Sequence, residues 1–249
     1  MDTFIKRAAD LRSLQLEAEG LRALQQVIDK KGIVELRTPQ IIEQGVNSLK
    51  LEWLDSKPAG TTEMKELGRG LAKLHGVGQK SFGWGSDNFI GLNPQKNTWS
   101  DNWGEFFCES RLKPQIAMIG DVSLRTEFIS ILDRSSLADY LNENCEYSSL
   151  VHGDLWSGNV MFSIKGAYLI DPAVYCGDRE VDLAMTEMFG GFSAGFYEAY
   201  REELGISSEY SKKKVIYNLY HYLNHYNLFG CGYLGGCREG FDFIRRSFS

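Results

Sequence analysis

The sequence lacks any long apolar run: no stretch approaches the roughly 18 consecutive apolar residues from which a membrane-spanning helix is inferred. Its first residues, among them the charged Asp2, Lys6 and Arg7, also lack the apolar segment of a secretory signal. These two absences predict a cytoplasmic protein with no membrane partner.

Paired cysteines and an excess of basic residues are lacking as well. The five cysteines are odd in number and form no Cys-x-x-Cys pair, so a disulfide framework is not expected. Lys and Arg number 27 against 33 Asp and Glu, which gives a formal charge of −6. Because binding to a phosphate backbone needs a cationic excess, no nucleic-acid partner is expected. The sequence carries no signal of the oligomeric state.

The composition is that of a folded globular protein, with 43% hydrophobic and 24% charged residues. Residues 1–54 are patterned as a short strand ending at Lys6, an amphipathic helix over 11–28, and further strands. Beyond residue 54, helical periodicity dominates and short strands interrupt it between residues 150 and 170. The sequence therefore predicts an α+β fold with two parts, residues 1–54 and residues 55–249.

Three polar residues on consecutive short segments carry the predicted chemistry. Asp154 and Asn159 lie in the segment HGDLWSGN at 152–159, and Asp171 follows one short hairpin later. Phosphoryl transfer needs a carboxylate that orients and deprotonates the attacking hydroxyl, and oxygen ligands that hold Mg²⁺ against the nucleotide phosphates. The order Asp, four residues, Asn, hairpin, Asp follows the kinase pattern, although Gly153 and Pro172 replace its usual Arg and Phe. Turn capping by Asp154 and Asn159 is the alternative, but it leaves Asp171 unexplained.

A lysine and a glutamate upstream add to this pattern. Lys6 ends the first predicted strand, and Glu19 lies thirteen residues later on the following helix. In kinases a strand lysine paired with a helix glutamate places its ammonium group on the nucleotide phosphates. The spacing alone is weak, but together with the Asp-Asn-Asp set it favours a phosphotransferase.

The chain strongly resembles the fructosamine kinase (ketosamine 3-kinase) family, which belongs to the aminoglycoside-phosphotransferase-like kinases. The resemblance runs from about Phe4 to Phe243 and is carried by long motif strings. These are EAEGL (17–21), LEWLD (51–55), NTWSDNW (97–103), HGDLWSGN (152–159), LIDPAVYCGDRE (169–180), DLAMTEMFGGF (182–192) and NHYNLFGCGYLG (224–235).

The resemblance implies a protein-kinase-like two-lobed fold, with a truncated small β lobe and a large, mostly helical C-terminal lobe. It implies ATP-dependent phosphorylation, with Mg²⁺, of the 3-hydroxyl of a ketoamine, which is a fructosamine or ribulosamine adduct. The substrate would be a small-molecule or protein-bound ketoamine. The resulting 3-phosphate is unstable and leaves, so the implied role is deglycation.

The same resemblance implies roles for individual residues in the kinase core. Asp154 would be the proton acceptor, Asn159 and Asp171 would bind Mg²⁺, and Lys6 with Glu19 would form the phosphate-side ion pair. 

Further roles concern the adenine, the sugar and the support of the loop. Glu52, Trp53 and Leu54 look like the hinge that meets adenine through backbone groups. His152 and Asp182 would support the catalytic loop structurally. Trp156 is a candidate for the sugar site, because an aromatic face suits the C–H side of a sugar; core packing is the alternative.

The chain departs from the family pattern at its start. Family members carry a Gly-rich, phosphate-covering loop before the lysine strand, but only Met1 to Ile5 precede Lys6 here. We therefore expect this chain to lack the backbone amides that cradle the phosphates. A catalytically silent kinase-like binding protein is therefore one alternative function. Within the enzyme class, the alternative is an aminoglycoside-type small-molecule phosphotransferase.

Overall fold

The computed structural model describes residues 2–8 and 11–249. The described chain forms two compact units. The first comprises the residues up to Gly78 together with His152–Val174 and Thr186–Ile206, and the second comprises Gln79–Val151, Tyr175–Met185 and Ser207–Ser249.

The first unit contains two three-stranded sheets, with strand orders β1-β4-β3 and β2-β10-β9. In both sheets neighbouring strands are antiparallel except for β2 and β10, which run parallel. Its elements are β1 (Thr3–Arg7), α1 (Leu11–Lys31), β2 (Leu36–Arg37), β3 (Ile41–Gln44), β4 (Ser48–Glu52), α2 (Thr61–His75), a 3₁₀ turn (Ser157–Asn159), β9 (Val160–Ser163), β10 (Gly166–Leu169) and α8 (Ala194–Leu204).

Helix α1 packs its apolar stripe against the first sheet. Leu14, Ala18 and Leu21 recur at three- and four-residue steps and are buried with Leu49 and Leu51 of β4. On another part of α1, a Cβ at Gly20 would lie 3.1 Å from Cγ of Pro172. The absence of a side chain there lets the helix approach the segment that carries Asp171.

Helices α2 and α8 also approach closely within the first unit. A Cβ at Gly68 of α2 would lie 2.2 Å from the carbonyl oxygen of Phe196 in α8, a distance that no side chain can adopt. His75 at the end of α2 is buried, and its Nδ1 lies 3.0 Å from the Tyr200 hydroxyl.

The second unit is mostly helical. Its strands form two short antiparallel pairs within the unit, β6 with β7 and β8 with β11. Its elements are β6 (Asn88–Ile90), β7 (Asn93–Gln95), α3 (Trp103–Phe106), a π-helical segment (Phe107–Leu112), α4 (Lys113–Ala117), α5 (Val122–Asp133), α6 (Leu137–Glu143), β8 (Ser148–Val151), β11 (Tyr175–Gly177), α9 (Tyr210–Phe229), a 3₁₀ turn (Cys231–Tyr233) and α10 (Leu234–Ser247). Two elements, β5 (Gly78–Gln79) and α7 (Glu180–Met188), contribute residues to both units.

A buried charge cluster lies in the core of the second unit. The Lys213 ammonium is 2.6 Å from Asp178 Oδ2 and 2.7 Å from Glu180 Oε2. Asp178 Oδ2 also accepts a hydrogen bond from the Tyr217 hydroxyl, and Glu180 accepts two from the backbone and side chain of Ser207. All three charged side chains are at most 4% exposed. We call Lys213, Asp178 and Glu180 the buried triad.

The structure confirms the α+β class and the early helix, which extends three residues past the predicted end at residue 28. The five cysteines are free thiols, as predicted. Across the described ranges, no helix combines the length and the apolar character that a membrane crossing requires. The lobe boundary after residue 54 stays a prediction, because the compact units group sequence segments differently.

Candidate active site

The loop between β8 and β9 is held by His152. Its Nδ1 accepts a hydrogen bond from the Asp154 backbone N–H at 3.3 Å, so the proton resides on Nε2, which lies 2.9 Å from the Ile170 carbonyl oxygen. The imidazole is completely buried. Gly153 adopts φ 82°, a left-handed conformation that turns the chain between His152 and Asp154.

Asp154 and Asn159 contact each other across this loop. Asn159 Nδ2 donates to the backbone oxygen of Asp154 at 2.8 Å and to its carboxylate Oδ2 at 3.1 Å. The Asn159 side chain is buried, and its Nδ2 is the atom turned toward Asp154. Its Oδ1 is therefore left for another interaction, while the Asp154 carboxylate is fixed in orientation.

Asp171 has an unusual backbone conformation. Its φ is +52°, and it is the one non-glycine residue with a positive φ in the part of the chain that the structure describes. Such a conformation costs on the order of 1–3 kcal/mol and persists where neighbouring contacts impose it. Those contacts are two backbone hydrogen bonds to the preceding loop: Ile170 N to Asn159 O at 3.0 Å and Ala173 N to His152 O at 2.9 Å. They hold the Asp171 carboxylate beside the loop of Asp154.

Lys6 of β1 reaches this carboxylate from the first sheet. Its ammonium donates to Asp171 Oδ1 and, at 2.8 Å, to Glu17 Oε1 of α1. Burial by itself would lower the pKa of Lys6, but the charges of Glu17 and Asp171 outweigh it and hold that pKa above its ordinary value. Lys6 is therefore a fixed cation at neutral pH.

The predicted pairing of Lys6 with Glu19 is wrong, because Lys6 pairs with Glu17. The Glu19 carboxylate instead accepts a hydrogen bond from Gln15 at 3.0 Å on an exposed part of α1. Two residues along a helix correspond to a rotation of about 200°, so Glu17 and Glu19 face in different directions. Glu17 is three residues after Leu14 and four before Leu21, and it therefore lies on the face that α1 turns to the sheet.

A cavity of about 480 Å³ lies beside Lys6 and Asp171. Apolar side chains and the predicted hinge residues line most of it: Phe4, Leu51, Met161 and Ile170, with Glu52, Trp53 and Leu54. The N–H groups of Glu52 and Trp53 are used by Gln40 O at 2.9 Å and Asp2 O at 3.2 Å. Among the described residues, the Leu54 N–H has no backbone partner. A flat apolar ring with a hydrogen-bond acceptor at its edge suits this wall.

The loop that carries Asp154 also carries one member of an exposed aromatic pair, Trp156. Trp156 is 39% exposed and Phe189 44% exposed, and their ring centroids are 6.5 Å apart in an edge-to-face arrangement. Two glycines permit this packing: a Cβ at Gly158 would lie 2.2 Å from the Trp156 ring, and a Cβ at Gly191 would lie 2.5 Å from Cβ of Ser157. We call Trp156 and Phe189 the aromatic corner.

A model of the fructosamine kinase family matches residues 2–244. The chain belongs to the fructosamine kinase family. It is 39% identical over 239 residues to a probable ketoamine kinase of Synechocystis sp., covering 92% of this chain and 77% of the relative. It is 36% identical over 187 residues to the ketosamine-3-kinase of Mus musculus, covering 73% of this chain and 60% of the relative.

Solved structures confirm the fold of this fructosamine kinase family member. A Thermobifida fusca protein assigned as a fructosamine-3-kinase has a TM-score of 0.84 at 29% identity, covering 98% of this chain and 86% of that one. An ADP-bound aminoglycoside phosphotransferase has a TM-score of 0.62 at 13% identity, covering 98% and 87%. The predicted kinase-like fold is therefore correct.

Two further predicted residues of this fructosamine kinase, Asp182 and Trp156, differ in their burial. Asp182, at the start of α7, is completely buried in the second unit, and its role in bracing the catalytic loop stays a prediction. Trp156 is too exposed for the core-packing alternative. Sequence reasoning missed two residues, Glu17 and Phe189. The apolar stripe of α1 could have identified Glu17, whereas no local pattern pairs Phe189 with a tryptophan 33 residues earlier.

Proposed function

We propose that this chain is a ketoamine 3-kinase that uses Mg²⁺ and ATP. Its relatives carry the names ketoamine kinase, protein-ribulosamine 3-kinase and ketosamine-3-kinase. The single observation that supports the proposal from the structure is a chain of contacts: Lys6 and Asp171 line a nucleotide-sized cavity, and backbone hydrogen bonds on both sides of Asp171 join it to the loop that carries Asp154 and Asn159. The cytoplasmic location expected from the sequence stays a prediction.

The cavity beside the hinge segment would hold the nucleotide. Apolar side chains such as Phe4 and Met161 would sandwich the adenine, and the Leu54 N–H would donate to its edge. Lys6, kept protonated between two carboxylates, would contact the phosphates at the other end. In this assignment residues 1–54 form the smaller kinase lobe.

The donor set fits a magnesium ion bound together with nucleotide. Mg²⁺ prefers oxygen ligands and takes one or two protein carboxylates plus phosphate oxygens. The Asp171 carboxylate, which is 45% exposed, and Oδ1 of Asn159 are such ligands. When bound, the ion would neutralise charge on the β- and γ-phosphates.

Asp154 would act on the acceptor hydroxyl. The carboxylate accepts the proton of the ketoamine 3-hydroxyl as its oxygen forms the bond to the γ-phosphorus, and the bond from that phosphorus to the bridging oxygen of ADP breaks. Asn159 keeps the carboxylate in position through its Nδ2 hydrogen bond. The backbone bonds around Asp171 keep the acceptor and nucleotide ends of the site in register.

Ketoamine-dependent ADP release tests this function. The full chain should release ADP from Mg-ATP when a free fructosamine or ribulosamine such as fructose-lysine is added, and the adduct should gain a 3-phosphate visible by mass spectrometry and ³¹P NMR. Release with kanamycin-like acceptors in place of ketoamines would support the aminoglycoside-type alternative. Absence of release with every acceptor would instead support a silent binding protein.

The aromatic corner would position the sugar. Replacing Trp156 by Leu should raise KM for the ketoamine about 5- to 30-fold, because an aromatic face lost from a half-exposed site removes roughly 1–2 kcal/mol of contact. KM for ATP should stay within about twofold. Trp99, which is 53% exposed in the second unit, provides the matched Trp99→Leu control. An unchanged ketoamine KM in the Trp156 variant would exclude this wall from the acceptor site.

A further inference from the structure

A second cleft in the first unit has no role in the proposed phosphoryl transfer. Its volume is about 440 Å³, which is enough for a sugar-phosphate-sized molecule. We call it the basic cleft, and the residues used below to define it are Arg22, Gln25, Arg37, Thr38, Lys165 and Tyr168. They come from α1, from β2 and the residue that follows it, and from the β9–β10 hairpin.

The basic cleft is lined by three cationic side chains, Arg22, Arg37 and Lys165, and by one carboxylate, Glu52. Arg22 donates through Nη2 to the amide oxygen of Gln44 at 2.7 Å, and Arg37 donates through Nε to the Lys165 backbone oxygen at 2.9 Å. Neither guanidinium has a carboxylate partner among the residues that the structure describes. Lys165 forms one long ion pair with a described residue, at 3.7 Å from Nζ to Glu52 Oε2.

The guanidinium group of Arg37 is held in place by a hydrogen bond within the protein. The Nε bond of Arg37 to the hairpin fixes its stem and leaves both Nη groups for another acceptor. Beside it, Thr38 is buried and anchored to Gln25 through both its N–H and its hydroxyl. A planar fork with two unused donors matches the oxygens of a phosphate group.

Glu52 and Pro39 line both the basic cleft and the nucleotide cavity. Glu52 accepts a hydrogen bond from the Gln40 N–H at 3.2 Å and shares its other oxygen with Lys165. An anion that binds Lys165 therefore has to compete with the Glu52 carboxylate for the ammonium group.

We propose that the basic cleft binds a small organic phosphate monoester, recognised by Arg37 and Lys165 with support from Arg22, at a site separate from the nucleotide. Gln25 and Thr38, which are hydrogen-bonded to each other, line the cleft between Arg22 and Arg37. Because Glu52 is common to both cavities, occupancy of the cleft also changes the surroundings of the hinge.

Calorimetric titration of glycerol 3-phosphate into the full chain tests the proposal, with the nucleotide site first saturated by a non-hydrolysable ATP analogue. Saturable binding of one equivalent is expected, and neutral glycerol should give none. Arg37→Gln should weaken binding about tenfold, since a charge-assisted bidentate contact is lost. Glu52→Gln should tighten binding about threefold, because the competing carboxylate is removed.

Lys31→Gln is the matched control, since Lys31 is an exposed cation at the end of α1 outside the cleft. It should change the dissociation constant by less than about twofold. Equal weakening by Arg37→Gln and Lys31→Gln would reduce the effect to bulk charge and overturn the proposal. Binding that disappears when the ATP analogue is present, or no saturable binding at all, would overturn it too. Arg22→Gln replaces Arg37→Gln if the latter does not fold.

Discussion

Asp154→Asn should lower kcat by about 10²- to 10⁴-fold, because an amide cannot accept the proton of the attacking hydroxyl. Affinity for the nucleotide should be largely kept, since Asp154 is not among the residues that line the cavity at the hinge. The Asn159 Nδ2 donor can still bond to the backbone oxygen of residue 154 at its present 2.8 Å, so the loop should keep its shape. Steady-state kinetics with saturating ketoamine, and titration of an ATP analogue, measure the two quantities.

Asp29→Asn is the control for this substitution, because Asp29 is an exposed residue near the end of α1. It should have wild-type kcat. If Asp154→Asn keeps kcat within a few-fold of wild type, Asp154 is not the proton acceptor. If it loses nucleotide binding as well, the effect is structural, and a changed unfolding midpoint would show it.

Lys213→Met should lower the free energy of unfolding by about 3–5 kcal/mol, because it leaves Asp178 and Glu180 as buried carboxylates without a cation. Lys213 is 2% exposed, and its ammonium also donates to the Asn144 carbonyl oxygen at 2.9 Å. Urea-induced unfolding at neutral pH, followed by circular dichroism, measures the difference.

The neighbouring residue offers the matched control for the buried triad. Lys212 is 55% exposed and pairs with Glu209 on the surface, so Lys212→Met should cost less than about 1 kcal/mol. Comparable losses in the two variants would mean that the buried triad contributes no more than a surface pair.

The pH dependence of this difference has a defined sign. Burial alone would lower the pKa of Lys213, but Asp178 and Glu180 outweigh it and hold that pKa above the ordinary 10.5. The stabilisation is thus complete below the pKa of an unfolded lysine and is lost as the pH rises through the folded value. The gap between wild type and Lys213→Met should stay constant from neutral pH to about pH 9 and narrow only in stronger alkali.

The parts of the site that the sequence predicted are those close together along the chain. Asp154 and Asn159 lie on one loop, and Asp171 follows directly after the β9–β10 hairpin. The hairpin turns the chain back on itself and so brings the three residues together. The alternation of Leu49 and Leu51 and the stripe of α1 predicted the first sheet and its helix for the same reason: both periods are local.

The parts that sequence reasoning missed depend on orientation or on distant contacts. Choosing Glu17 over Glu19 required the rotation of α1 about its axis, which the buried Leu14 and Leu21 define and the glutamates do not. The buried triad joins residues 35 positions apart, from Asp178 to Lys213, and no spacing rule connects them. The use of the Trp53 N–H by Asp2, which leaves the Leu54 N–H as the proposed donor to the nucleotide, likewise follows from strand pairing in three dimensions.

The two backbone hydrogen bonds that flank Asp171 join the proposed base, Asp154, and the proposed metal-binding carboxylate, Asp171, in one cooperative opening unit. The amide N–H groups of Ile170 and Ala173 donate to carbonyl oxygens of the segment 152–159, which carries Asp154. Neither segment can therefore open locally without the other. Local unfolding that frees Asp171 from its left-handed conformation must also release the catalytic loop. Partial denaturation would therefore abolish phosphoryl transfer in a single step, with hydrogen exchange at both segments proceeding at a common rate.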